Sequence, residues 1–380
     1  MEKNNTTEFY HGNDNKDDYE YDYEYDYEDD YEYDYEAFVK LRQSLNTMSL
    51  TGYCLAFFLG VLGNGVVIWL AGFKMKKTVN TVWFLNLAVA DFLLTAFLPL
   101  SVTYTAMDFH WPFGSFMCKL NNTINSLNMF ASVYIVMVIS VDRCVSVVWP
   151  VWAQNHRNVR KASYVCLGVW VLALILSTPD FILRDTTPLY FPEDIIRCFN
   201  SFALSDDYET ESVKQLRSFR HQAMIITRFI LGFIVPFTVI VSCYAVIIHH
   251  LRRNRTLANQ SSRPFKIIAA IITTFFLCWA PFHILTLIEM VHHTTEHLNE
   301  TLSDVTTIGV PIATSLALLN ICLNPLLYVF IGQDFKNIVC KSIPRVLETA
   351  FQEEETRPHT NTESPFTSRS KEQSVIDAEV

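Results

Sequence analysis

Asp91 is a carboxylate in the middle of an otherwise uncharged run from 78 to 106, with Asn86 on the same segment. Asn128 and Ser132 stand four residues apart in another apolar run, and Asn320 and Asn324 four apart in a third. Each pair shares one face if its segment is helical. Two chemistries fit these residues. Oxygen ligands gathered around one carboxylate hold a small cation; alternatively, the same side chains form a hydrogen-bonded network between helices around a protonated Asp91. In either case polar groups so placed are costly in apolar surroundings and must face inward.

Other residues carry charge to the ends of apolar runs. Asp142-Arg143 closes the run that holds Asn128, where the carboxylate is expected to hold the guanidinium by a bidentate pair until something breaks it. Arg228 lies eight residues before Pro236. Its fork suits a ligand carboxylate, and an arginine snorkelling from a helix end to an interface is the alternative. Arg184 and Glu289 occupy comparable places, and Asn122 and Asn125 could line the same mouth. Pro236, Pro281 in Cys278-Trp279-Ala280-Pro281, and Pro325 in Asn324-Pro325-Leu326-Leu327-Tyr328 each remove a backbone hydrogen bond and can hinge a helix.

The elements that must position these groups are seven stretches with one charged side chain or none: 43–73, 78–106, 120–141, 162–179, 229–248, 267–288 and 305–333. Each is long enough for a helix to cross about 30 Å of hydrocarbon. The fold class is all-α, a seven-transmembrane helix bundle, with a short amphipathic membrane-surface helix over 333–347. The expected division is a disordered acidic tail over 1–44, the bundle over 45–332, that surface helix, and a disordered regulatory tail over 348–380.

Composition alone, 50% hydrophobic and 18% charged, hides this because the charge is unevenly placed. Residues 1–36 hold 15 acids and two lysines, so the remainder carries 24 acids against 27 bases. No basic, apolar, small-residue cleavage pattern precedes residue 42, so the first span is expected to serve as its own insertion signal. Lysine and arginine gather in the links after the first, third and fifth spans, which places those links in the cytoplasm. The amino terminus then faces outward and the carboxyl tail inward, with 180–221 a long outer loop. Glycosylation acceptors at Asn4 or Asn5 and at Asn299 agree with that orientation. Cys118 and Cys198 both lie on the oxidising side and are expected to form one bridge. Cys54, Cys166, Cys243, Cys278 and Cys322 read as buried free thiols. Cys340 sits on the amphipathic stretch and is a palmitoylation candidate.

Taken in order along the spans, these motifs resemble the rhodopsin-like G-protein-coupled receptors. The resemblance rests on Gly63-Asn64, Asn86 through Asp91, Trp111 through Gly114, Cys118, Asp142-Arg143-Cys144, Trp170, Pro236 with Tyr244, Phe275 through Pro281, and Asn324 through Tyr328 followed by Phe335. It covers residues 45–345. It implies that Asp91, Asn128, Ser132, Asn320 and Asn324 form a pocket for a sodium ion, acting as an allosteric modulator that stabilises the inactive state. It implies that Trp279 is the rotamer-sensitive residue beneath the ligand. Asp142, Arg143, Tyr244, Pro281, Pro325 and Tyr328 would then serve activation and G-protein coupling. No other cofactor or metal is implied. Cys144 departs from the family's usual tyrosine, although chemoattractant receptors commonly carry that cysteine.

The runs FKMKKTVNTVWFLNLAVADF (73–92), PVWAQNHRNVR (150–160), RPFKII (263–268) and VFIGQDFK (329–336) are similar to the chemerin receptors, with formyl-peptide and anaphylatoxin receptors as the nearest relatives. That resemblance implies a chemoattractant receptor at the plasma membrane. Its ligand would be the carboxyl-terminal end of a secreted basic protein or peptide, gripped by Arg228. Its signal would pass through an inhibitory heterotrimeric G protein toward chemotaxis and inflammatory responses. Receptor kinases and arrestin are the implied partners of the carboxyl tail, where Thr360, Thr362, Ser364, Thr367, Ser368 and Ser370 follow three glutamates. The other partners are membrane lipids, and no nucleic acid is expected. Anaphylatoxin, formyl-peptide or lipid-mediator recognition, and non-signalling scavenging, are the alternatives.

Residues 17–36 contain only eight tyrosines and 12 acids. Tyr19, Tyr21, Tyr23, Tyr25, Tyr27, Tyr31, Tyr33 and Tyr35 therefore sit in the acidic context that sulfation requires, and such a strip would speed the approach of a basic protein. Other classes fit poorly. The spans show no internal repeat of the transporter kind, residues 305–333 contain no lysine for retinal, and no catalytic constellation marks an enzyme.

Overall fold

Each apolar stretch is helical, as it must be where no water satisfies a backbone that does not bond to itself. The computed structural model of the chain describes residues 20–188, 195–204, 210–253, 255–294 and 300–331. Among them, seven helices are long and apolar enough to cross a membrane. Helix α1 (Glu20–Trp69) closes with a π-turn at Leu70–Lys74. Then come α2 (Val79–Ala106), α3 (Gly114–Val148), the short α4 (Pro150–His156) and α5 (Val159–Ile182). The fifth crossing is α6 (Glu211–Phe229), a π-turn at Ile230–Ile234, and α7 (Val235–Arg253). The last two are α8 (Arg255–Thr294) and α9 (Glu300–Ile331). Short links are possible because starts are capped locally. Thr78 accepts from the backbone N–H of Thr81 at 3.2 Å, and Asn158 from that of Lys161 at 2.9 Å.

Two expectations are corrected. The expected disorder of the acidic tail to residue 44 gives way to a helical backbone from Glu20, where no glycine or proline interrupts the chain between Glu20 and Gly52. The outer loop over 180–221 is shorter than hydropathy implies. Helix α5 runs through Ile182, and α6 begins at Glu211 because its polar first turns contain no helix breaker. The basic link between the fifth and sixth crossings is helical on both sides of residue 254. Asn4, Asn5, Tyr19, Asn299, Cys340, the 333–347 segment and the tail over 348–380 lie outside the described residues, as do the side chains of Tyr328 and of the tyrosines from Tyr21 to Tyr35.

Helix α3 is the axis of the bundle, with a nearly continuous buried run from Ser126 to Val136 packed against α2, α5, α7 and α8. Helix α1 approaches α2 closely through Gly60: a Cβ there would lie 2.3 Å from the Thr95 methyl. The wide turn at Ile230–Ile234 leaves a carbonyl to spare, and Leu231 O accepts the Tyr134 hydroxyl at 3.0 Å. Phe58, Leu62, Leu167 and Ile175 lie exposed on the outside of the bundle. Such an apolar surface suits hydrocarbon and would drive association in water.

One end of the bundle is roofed by an antiparallel hairpin, β1 (Arg184–Pro188) with β2 (Ile196–Asn200), in which Thr186 pairs with Cys198. The disulfide expected from sequence is formed: Cys198 bridges to Cys118 at the start of α3. Trp111, fully buried, donates its backbone N–H to Ile196 O at 2.7 Å and its indole N–H to Gly114 O at 2.9 Å. Gly114 takes φ +76°, where a side chain would be strained. The disulfide and the Trp111 N–H both hold β2, and β1 is tied to α3 by the Ser115 hydroxyl, which donates to Asp185 Oδ1 at 2.6 Å.

Candidate functional site

Beneath the hairpin lies a cavity of about 310 Å³ lined by residues of all seven crossings. Its walls are apolar at Leu94, Leu98, Met129, Phe282 and Ile321, and its charged groups, Asp180, Arg184 and Arg228, gather where α5 and α6 end. Of the six residues expected to bind ligand, Arg184, Arg228, Asn122, Asn125 and Trp279 all reach this space. Glu289 does not line it; it sits half-buried near the end of α8. Asn122 is fixed by donating to Cys118 O at 2.8 Å and to Cys198 Sγ at 3.3 Å, and Asn125 donates to Asn121 O at 2.9 Å.

Arg228 is already engaged. Its Nη2 donates to both carboxylate oxygens of Asp180, each at 2.6 Å, and to Ser126 Oγ at 3.1 Å. Ser126 in turn donates to Asp180 Oδ2 at 2.5 Å. Asp180 is 4% exposed and forms the last turn of α5. Arg184, four residues on, also lines the cavity, and its buried Nε has no hydrogen-bond partner among the described residues. Burial pulls its pKa below the usual guanidinium value, against the opposing pull of Asp180. The next residue, Asp185, accepts from the Ser115 hydroxyl at 2.6 Å, which holds its carboxyl below the usual carboxylate range.

Deeper in the bundle, four of the five residues of the expected ion pocket are joined. Asp91 Oδ1 accepts from Asn128 Nδ2 at 3.0 Å and from Ser132 Oγ at 3.4 Å, and Oδ2 accepts from Asn324 Nδ2 at 2.8 Å. Asn320 is buried one turn from Asn324 on α9. Asn86 does not join this cluster; its Oδ1 accepts from the Trp170 indole at 3.0 Å. Asp91 is fully buried, and the side-chain oxygens of Asn320 and Asn324 accept nothing among the described residues. The arrangement offers oxygen donors around one carboxylate and contains no soft ligand.

At the opposite end the sequence expectation is corrected. Asp142 does not hold Arg143. It pairs with Arg157, whose Nε and Nη2 reach Oδ1 and Oδ2 at 2.8 and 3.0 Å. Arg143 donates instead to Asn80 Oδ1, which Arg157 also reaches. Tyr244 on α7 is half-buried with no partner for its hydroxyl among the described residues. Pro325 is buried within α9 and Pro281 half-buried within α8, where both interrupt the backbone ladder.

The sequence profile described as "7 transmembrane receptor (rhodopsin family)" matches residues 63–328. The chain belongs to the rhodopsin family of seven-transmembrane receptors. Among similar proteins, chemerin-like receptor 1 of Homo sapiens is 49% identical over 306 residues, which is 79% of this chain and 79% of that one. The C3a anaphylatoxin chemotactic receptor of Danio rerio is 44% identical over 322 residues, 85% of this chain and 82% of its own. Formyl peptide receptor 2 of Mus musculus is 42% identical over 310 residues, 81% and 86% of the two chains. These likenesses make the protein a multi-pass signalling receptor of the chemoattractant group and not an enzyme.

Within this receptor, sequence reasoning missed Asp180, Ser126, Asn80 and Arg157. Asp180 carries the same signal as Asp91, an acid at an apolar run. It was passed over because it stands one residue beyond the assigned end of that run. Asn80 and Arg157 carry no such signal, since polar residues at a helix end are ordinary.

Proposed function

We infer that this receptor binds the carboxyl-terminal end of a secreted basic protein of the chemerin type and activates an inhibitory heterotrimeric G protein, promoting chemotaxis and inflammatory signalling. The observation that carries this reading is the cavity beneath the hairpin, apolar over most of its wall with the guanidiniums of Arg184 and Arg228 on one side. An extended peptide end fits such a space, and its carboxylate finds charge-assisted donors there. The names of the similar receptors support a peptide or protein ligand. Agonist would act by binding the coupling-competent state more tightly than the resting one.

In this reading the hairpin end and the amino terminus face outward, the carboxyl tail inward, as the basic links favour. The tyrosines from Tyr19 to Tyr35 are sulfated and gather a basic ligand, Asn4 or Asn5 and Asn299 are glycosylated, and the serines and threonines after residue 359 recruit arrestin once phosphorylated by receptor kinases.

The cluster around Asp91 also fits a sodium ion, because the unpartnered oxygens of Asn320 and Asn324 add acceptors to those of the carboxylate. Asp91, Asn128, Ser132, Asn320 and Asn324 would hold it, and its charge would draw the second, third and seventh crossings together. A G-protein activation screen with terminal peptides of chemerin, of an anaphylatoxin and with a formyl peptide tests the ligand class. Response to chemerin peptide is expected. Binding with arrestin recruitment but no nucleotide exchange would instead mark a scavenging receptor.

A further inference from the structure

Three charged side chains share one corner of the cavity: Arg184, Arg228 and Asp180. Only Asp180 is negative. It is buried, receives Nη2 of Arg228 on both oxygens at 2.6 Å, and is fixed from α3 by the Ser126 hydroxyl. This carboxylate meets a guanidinium in the way a peptide carboxylate would. The charge of Arg228 is therefore matched within the protein, and the corner keeps one unmatched positive charge. Arg184 feels the same carboxylate through space, but its buried Nε beside the cavity has no hydrogen-bond partner among the described residues, so it is the guanidinium left to take a second anion.

We propose that Asp180 is a built-in stand-in for a ligand carboxylate, a specificity-determining residue that neutralises Arg228, limits the cavity to a single anionic group and leaves Arg184 to receive it. The proposal rests on the peptide reading above and adds which arginine acts and what restrains the other. Two unopposed guanidiniums in a buried cavity would repel each other and attract any dianion. One guanidinium with a matched neighbour selects a monoanionic terminus and keeps the neighbour's remaining N–H donors as neutral-pair hydrogen bonds.

The test uses full-length receptor in membranes and a synthetic peptide of the chemerin carboxyl terminus, as free acid and as amide. The readout is the ratio of the two affinities, which a general packing defect would not move. Wild type is expected to favour the free acid about tenfold or more. Arg184→Gln should bring the ratio close to one. Asp180→Asn frees Arg228 and should raise the ratio several-fold above wild type. The double variant Asp180→Asn with Arg228→Gln replaces the ion pair by an amide pair, and its ratio should return to the wild-type value. The double variant also guards against misfolding, because it removes the unmatched charge that the single one leaves. A wild-type ratio unchanged in Asp180→Asn, or a double variant that has lost all preference, overturns the proposal alone. A wild-type receptor that binds neither peptide overturns the peptide reading and this proposal together.

Discussion

Asp142 is joined to Arg157 by two parallel hydrogen bonds of 2.8 and 3.0 Å, while its sequence neighbour Arg143 reaches across to Asn80. Successive residues on a helix point about 100° apart, so adjacent side chains do not face each other. The short helix α4 returns Arg157 to the carboxylate that Arg143 cannot meet. Because Asn80 Oδ1 accepts from both arginines, the second crossing, the third crossing and α4 are tied at one oxygen.

If this knot holds the coupling face closed, Arg157→Ala loosens it. The pair is partly exposed, so a contribution of about 1 kcal/mol is in order, or about fivefold in population. Ligand-independent nucleotide exchange in receptor membranes should rise by about that factor, with Arg157→Lys intermediate. Basal exchange equal to wild type would mean that the contact is structural only.

Asp91 receives three hydrogen bonds from two helices. If the cluster holds sodium as proposed, replacing sodium by potassium salts at equal ionic strength should raise agonist affinity in the wild type, because the bound smaller cation would favour the resting state. Asp91→Asn removes the charge that attracts it and should abolish the difference. Persistence of the sodium effect in that variant would place the ion elsewhere.

Gly60 admits no side chain without displacing Thr95. Gly60→Ala is expected to cost about 1–3 kcal/mol by overpacking, seen as a lower Tm of the purified receptor. Adding Thr95→Ser removes the obstructing methyl and should recover most of the loss. A double variant no more stable than Gly60→Ala alone would refute the contact as the cause.

Deleting residues 17–36 removes 12 acids. Association of intact basic ligand should slow, more so at low than at high salt, while a short terminal peptide binds as before. Stopped-flow or surface-plasmon measurements of the on-rate decide it, and equal rates for the intact ligand would exclude an attracting role.

The fold was legible because hydrocarbon tolerates so few backbone arrangements that hydropathy alone counts the helices. Asp91, Asn128, Ser132 and Asn324 were legible for the same reason: four-residue spacing in an apolar run leaves one inward face. What hydropathy could not place were polar groups that pair across helices near the ends of the spans. Asp180 and Arg228 are 48 residues apart and meet only because the fourth and fifth crossings both pack against α3. The extension of α6 to Glu211 was hidden because a polar helix beyond the span carries no hydropathy signal.

The wide turn at Ile230–Ile234 lies between Arg228 and Tyr244 on a single crossing. Its extra residue advances everything beyond it by about 100° relative to an uninterrupted α-helix. The angular phase of the Tyr244 end is therefore set against that of the Arg228 end by where this one turn sits. Were the turn to migrate by a step, the residues it passed would rotate about the helix axis while the crossing kept its length, so the fifth helix can transmit a twist without a piston stroke.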